Sequence, residues 1–161
     1  MLKIRNVKLE DLPELVTIEN LCFTKEEAAT QEAFEKRIQL ISDSFYVAEV
    51  NDTVVGLING PVIEQPEITD DLFSAIKQNP TTGGYQSILG VAVSPEYQKQ
   101  GIASALLVHL ERAAAVCKRK TVTLTCKEVL IGYYEKQGYN NDGVSNSVHG
   151  GELWYNMSKR L

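Results

Sequence analysis

Val91-Ala92-Val93-Ser94-Pro95-Glu96-Tyr97-Gln98-Lys99-Gln100-Gly101-Ile102-Ala103-Ser104 decides the fold. Its apolar, β-branched start reads as the end of a central strand. Ser94-Pro95 stops that strand, because proline has no backbone N–H and pushes the residue before it out of helical dihedrals. A helical pattern opens near Gly101, with Ile102, Leu106, Leu110, Ala113 and Cys117 on one face. Backbone N–H groups from Gln98 to Ala103 therefore gather at a helix N-terminus. The small Gly101 and Ala103 leave them open to a bulky anion such as a phosphate. There is no Gly-x-x-x-x-Gly-Lys-Ser/Thr, and no Gly-x-Gly-x-x-Gly after the first strand, so nucleoside triphosphate and dinucleotide loops do not fit.

Outward from this turn the chain alternates strand and helix patterns. Residues 2–7 alternate apolar and polar, as a half-buried strand does. Behind Asp11-Leu12-Pro13, the residues Leu12, Leu15, Val16, Glu19, Cys22 and Phe23 fall at helical spacing. Thr30 can cap a second helix lined by Phe34, Ile38 and Ile41. Runs 45–50 and 53–60 around Asn51-Asp52 predict a β-hairpin. Residues 64–84 break the pattern and read as a surface insertion holding one short helix, 70–78, framed by Pro66, Pro80, Gly83 and Gly84. A strand over 85–93, the helix 101–117, a strand over 121–126, a short helix 129–137 and a last strand 151–158 complete the series. The expected architecture is α/β of the α+β type: a mixed, mostly antiparallel sheet with helices on both faces and a crossover through the long helix.

The chain of 161 residues, 43% of them hydrophobic, is one domain's worth of core, so 1–161 reads as a single domain. A net charge of −5 argues against nucleic-acid and anionic-membrane partners. The basic cluster Lys118-Arg119-Lys120 follows a helix end, where it complements the dipole. Cys22, Cys117 and Cys126 lie in no metal-ligand spacing, so no metal is expected, and reduced thiols point to the cytoplasm. The N-terminus lacks a signal peptide's apolar core, and no window approaches the ~20 apolar residues of a membrane span.

Gln98-Lys99-Gln100-Gly101-Ile102-Ala103 resembles the Gln/Arg-x-x-Gly-x-Gly/Ala pyrophosphate loop of the GCN5-related N-acetyltransferases, and it stands between the right strand and the right helix. Residues 126–139, with Tyr133-Tyr134 ahead of Gly138-Tyr139, resemble that family's later aromatic segment. The closest likeness is to the arylalkylamine (serotonin) N-acetyltransferase branch, through Cys22-Phe23, Glu26-Glu27-Ala28-Ala29, the insertion before Gly83-Gly84, and Leu124-Thr125-Cys126. The resemblance implies a sheet of about seven strands with a splayed central pair, acetyl-CoA as co-substrate, and a primary amine as acceptor.

The resemblance also implies the site. Gln98, Lys99, Gln100, Gly101, Ile102, Ala103 and Ser104 would hold the pyrophosphate, with Tyr133 and Lys136 beside the cofactor. Leu89, Gly90, Val91, Ala92 and Val93 would carry the pantetheine arm, one N–H aimed at the thioester oxygen. Tyr134 matches the tyrosine that protonates the leaving thiolate, a sensible role for a phenol of pKa ~10. The animal enzymes of the branch carry two histidines where this chain has Ser87 and Leu89, so Ser87 could at most order a water. Phe23, Glu26, Glu27 and Asn59, with Trp154, are expected around the acceptor; a Glu pair near a helix start is also an ordinary cap. His109 reads as a packed helix residue, His149 as part of a polar turn that could face the acceptor, and Cys126 as a buried core thiol. The expected reaction is direct attack by a small-molecule primary amine in a ternary complex. A peptide or protein amine and a non-catalytic acyl-CoA-binding module stand as alternatives, and free sheet edges are compatible with a homodimer.

Overall fold

The computed structural model describes all 161 residues. A first sheet has the order β1-β2-β3-β6, from Leu2–Asn6 (β1), Phe45–Val50 (β2), Thr53–Asn59 (β3) and Gly90–Val93 (β6), all antiparallel. A second has the order β4-β5-β7-β9-β8, from Val62–Ile63 (β4), Tyr85–Ile88 (β5), Thr121–Cys126 (β7), Tyr155–Arg160 (β9) and Asn140–Val144 (β8). Its β5–β7 pair is parallel and the rest antiparallel. The α1 (Leu12–Cys22) and α2 (Gln31–Ile41) helices precede β2, α3 (Ile102–Val116) crosses from β6 to β7, and α4 (Ile131–Lys136) precedes β8.

Period-two burial divides the first sheet between two cores. Phe45, Val47, Leu57 and Ala92 face one side, against Leu15 and Ile18 of α1 and Phe34 of α2. Tyr46, Ala48, Ile58 and Val93 face the other, against Leu106, Leu107 and Leu110 of α3. Local signals hold these elements where the sequence places them: the Thr30 side chain accepts from the Ala33 N–H at 3.1 Å. Asn51 and Asp52 both take the positive φ, 52° and 65°, of a two-residue hairpin turn. Arg5 grips Asp11 with two 2.8 Å bonds and ties β1 to the start of α1. No helix is long and apolar enough to cross a membrane.

Three expectations are corrected. The run 85–93 is two strands in different sheets, broken at Leu89; with the two-residue β4 the strands number nine, in keeping with the expected count of about seven. The helix expected over 70–78 is only a 3₁₀ turn at Asp70–Phe73. A piece this short does not recover its nucleation cost, and the Asp70 carboxylate is bonded to Ser147 and to the Val148 N–H instead of to its own turn. The last strand begins at Tyr155, because Gly150 and Gly151 turn the chain with φ of 65° and 72°.

Two of the three connections between the sheets pass one point. At Gly60 the chain leaves β3 for β4 so close to β5 that a Cβ there would stand 2.1 Å from the Ser87 carbonyl oxygen. Beside it, the Leu89 N–H donates to the Asn59 carbonyl at 2.8 Å while β5 turns into β6. Beyond that point the sheets part, and β6 pairs with β3 alone.

Candidate active site

The parting leaves the outer edge of β6 without a partner strand, open for an extended ligand to complete. At the far end of that edge the Gln98 side chain donates to the Val93 carbonyl at 2.9 Å and folds the loop back. Lys99 and Gly101 adopt φ of 64° and 82°, so the loop enters α3 through a left-handed N-cap. The first helix amide with an internal acceptor is that of Ala105, bonded to the Gly101 carbonyl. Amides of residues 99–104 make no backbone bond, and nothing lies within 4 Å of a Cβ built on Gly101. These donors at the N-terminus of a 15-residue helix form a cradle for an anion. Val93, Tyr97, Gln98, Lys99, Gly101 and Tyr133 are among its walls. The Tyr133 hydroxyl lies 2.8 Å from the Ser104 hydroxyl, tying α4 to the cradle.

At the other end of the β6 edge lies a mostly apolar cleft. Leu89, Gly90 and Val91 line it on the strand side, Leu124, Thr125, Cys126 and Tyr134 on the second sheet's side, and Phe23, Glu19 and Glu27 on the α1 side. Tyr134 is 6% exposed, packs edge-on against Tyr133 and Tyr139, and its hydroxyl makes no hydrogen bond within the chain. Burial, with Tyr133 and Cys126 facing it, pushes this hydroxyl well above the ordinary tyrosine range, so it stays protonated.

Two carboxylates face the cleft. Burial raises Glu19 above the ordinary carboxylate range; its Oε2 accepts from the Ala29 N–H at 2.9 Å, while Oε1 is buried without a partner. Glu27 exchanges capping bonds with Thr24 and pairs with Lys127 at 2.6 Å. Burial works against its charge, but the Lys127 ammonium and the hydrogen bonds from Thr24 together outweigh it and hold Glu27 below the usual range.

The insertion and the loop before β9 roof this space. Phe73 stacks on His149 with ring centroids 4.0 Å apart. The His149 Nε2 lies 3.0 Å from the Glu27 carbonyl oxygen, and the Trp154 indole N–H donates to the His149 carbonyl at 2.7 Å.

A cradle of free amides suited to an anion, an unpaired strand edge and a cleft lined by a protonated phenol thus follow one another along β6. Over residues 12–139 the sequence matches the family model described as Acetyltransferase (GNAT) family. The chain belongs to the GNAT acetyltransferase family. An N-alpha-acetyltransferase of Sulfurisphaera tokodaii is 33% identical over 99% of this chain and 93% of its own length. The loading GNATL domain of CurA from Lyngbya majuscula has the same fold, with a TM-score of 0.83 at 18% identity over 99% of this chain and 98% of its own. Arabidopsis thaliana Naa50, solved with the bisubstrate analogue CoA-Ac-MVNAL, superposes with a TM-score of 0.73 at 18% identity over 99% of both chains.

As a GNAT acetyltransferase the chain uses acetyl-CoA, and the free amides, the open Gly101 and the vacant β6 edge fit a pyrophosphate followed by an extended arm. Of the cofactor residues expected from sequence, Gln98, Lys99, Gly101, Ile102, Ala103, Ser104, Val93 and Tyr133 line the cradle, and Leu89, Gly90 and Val91 line the cleft. Ala92 is buried toward α1 and α2 and contributes backbone only. Lys136 is exposed on α4 and lines neither cavity, and Gln100 is exposed at the loop tip.

On the acceptor side Phe23 and Glu27 face the cleft, whereas Glu26 is exposed. Asn59 is fully buried behind the cleft, with Oδ1 accepting from Arg37 Nη1 at 3.1 Å. Ser87 is fully buried too, its hydroxyl donating to the Pro61 carbonyl at 2.6 Å, which keeps it off the cleft lining. His109 packs edge-on against Tyr46. Burial pushes the Cys126 thiol up to about 11, the opposite of what an acetyl-carrying thiolate needs. Sequence reasoning missed Phe73, Arg37 and the chemical importance of Glu19. Glu19 and Arg37 did leave a signal: each is a charge on an apolar helical stripe, with Leu12, Leu15 and Val16 or with Phe34, Ile38 and Ile41.

Proposed function

We propose that this enzyme acetylates the α-amino group of a peptide or amino acid, by direct attack in a ternary complex. The observation that carries the reading is the cleft in which Glu19, the unpaired edge of β6 and the Tyr134 hydroxyl converge. The N-alpha-acetyltransferase name of the 33% identical relative supports the acceptor class. When bound, acetyl-CoA supplies the acetyl group as a thioester.

The chain's own groups divide the remaining work. An acceptor amine arrives as an ammonium, and the Glu19 Oε1, free of any partner, takes its proton. Glu27, kept ionised by Lys127, adds a fixed negative charge that draws the ammonium in. Backbone N–H groups on the β6 edge stabilise negative charge developing on the acetyl oxygen. Tyr134, held protonated by its burial, donates its proton to the sulfur as the carbon–sulfur bond breaks. Neither Ser87 nor a histidine is required. The free thiols of Cys22, Cys117 and Cys126 suit a cytoplasmic setting.

A small arylalkylamine is the second reading, favoured by the aromatic walls Phe23, Phe73 and Trp154. One assay decides between them: release of CoA thiol from acetyl-CoA with short peptides, amino acids and arylethylamines as acceptors. Turnover is expected on the peptide or amino-acid arm, and Tyr134→Phe should lower kcat by about 10²-fold or more while leaving CoA affinity unchanged. Turnover confined to arylethylamines would replace the first reading with the second. Saturable CoA binding with no turnover on any amine would make the chain a binding module.

A further inference from the structure

A second cavity opens from the cleft toward α2, sharing Glu19, Glu27, Phe73, Leu89 and His149 with it. Ala29, Thr30 and Ala33 form small-residue walls, and Arg37 lines it. Arg37 is 4% exposed, yet its guanidinium makes one hydrogen bond, from Nη1 to Asn59 Oδ1, and no carboxylate oxygen lies within 4.0 Å. A guanidinium carries five N–H donors in a planar fork matched to a carboxylate. Leaving a buried cation with most of its donors unused is expensive unless a ligand uses them. Across the same space stands Glu19, 5% exposed and with Oε1 unpartnered. Cation and anion thus face one cavity; each feels the other's charge, but no contact within 4.0 Å joins them, and both keep unused hydrogen-bonding capacity.

We infer that this cavity is an acceptor subsite for a carboxylate, held by Arg37 while the amine of the same molecule rests at Glu19. The acceptor is then an amine with an acid group a few bonds away. The inference rests on the reading of the cleft as an α-amine acetylation site and adds a charge requirement to it. An ammonium and a carboxylate on one ligand complete both unpaired groups at once. Glu27 does not oppose the acid, because Lys127 neutralises it at 2.6 Å. Burial lowers the Arg37 guanidinium to about 10, which leaves it charged at neutral pH and sensitive to an arriving anion. Two sources fit: the side chain of an acidic first residue of a peptide, or the α-carboxylate of a free amino acid.

The test compares pairs that differ by one charge. Glu-Ala-Ala-amide against Gln-Ala-Ala-amide probes the peptide source, and alanine against alaninamide probes the free amino acid. Two readouts are taken on the intact enzyme: kcat/KM for acetyl transfer from acetyl-CoA, and, with CoA in its place, quenching of Trp154, the sole tryptophan and a wall of the cleft. The acid member of at least one pair should win by about tenfold or more in binding and in kcat/KM. Arg37→Met should erase that preference and Arg37→Lys should retain part of it. Should the buried Arg37→Met not fold, the wild-type comparison still decides. Equal binding and equal turnover within both pairs would overturn the subsite while leaving the acetylation reading intact. A binding preference for the acid without turnover would keep the subsite and sink the acetylation reading. Absence of binding and turnover with all four probes would overturn both.

Discussion

Among single residues, Glu19 and Glu27 are the same chemical group made into opposites by their surroundings. Glu27 has a cation at 2.6 Å and stays charged; at Glu19 burial outweighs one N–H and the more distant Arg37 guanidinium and pushes the group toward the neutral acid. Acid and base roles diverge in this way whenever neighbouring carboxyls meet different fields. The pH profile should show it. With Glu19 raised, kcat/KM should climb as pH rises through that raised pKa, because only the ionised form accepts the amine's proton. Glu19→Gln should remove this limb and lower kcat/KM by about 10²-fold, read in a pH–rate series. Stability should move the other way. A carboxyl whose pKa is higher folded than unfolded binds more protons in the native state, so it costs stability progressively as pH rises between the two values. Glu19→Gln keeps an acceptor for the Ala29 N–H without the charge, and its melting temperature at pH 8 should equal or exceed that of the wild type. Lost activity at undiminished stability would separate a chemical role from a structural one.

At the scale of elements, the divergence of the two sheets depends on one contact without room for a side chain. A Cβ on Gly60, in the link between β3 and β4, would meet the Ser87 carbonyl at 2.1 Å, and that carbonyl belongs to the backbone of β5. Gly60→Ala should therefore destabilise by about 3 kcal/mol, at the upper end of overpacking, as measured by urea denaturation. Gly56→Ala, with its nearest contact at 3.1 Å, should be milder. Nothing local announces the crossing at Gly60, since its cause is a strand distant in sequence. Elements with their own signals were legible: the Thr30 cap, the Asn51-Asp52 turn and the Gly101 entry all sit where the residues put them. The run 85–93 was not legible as two strands from its pattern alone, because apolar β-branched residues suit either sheet and only pairing partners separate them. In the site, the open amides before α3 could be read from motif and spacing, and the family resemblance pointed to Tyr134, which lines the cleft. Glu19 and Arg37 could not be assigned a purpose, because their burial arises from two helices closing over the first sheet. The helix expected over 70–78 failed for a related reason: Asp70 serves the roof at Ser147 and Val148.

For the whole molecule, two sheets share their joint at Gly60 and Leu89 and separate beyond it. Each has its own strand pairing, and the proposed acetyl-CoA site lies in the gap between them. A ligand that bonds the β6 edge and the amides of residues 99–104 takes the place of missing protein. Its binding energy is then added to folding, as RT ln(1 + [L]/Kd), or about 2.7 kcal/mol at a hundredfold excess over Kd. Melting curves in rising CoA should shift upward without saturating, and hydrogen exchange at residues 99–104 should slow in step. A CoA-independent melting temperature with proven binding would mean that the unfolded chain binds as well. The missing strand also bears on survival. Proteolysis acts on opened states, whose population falls as ligand binds the closed one, so an enzyme completed by its own donor lasts longest when that donor is plentiful, and its abundance becomes a slow record of the acetyl supply.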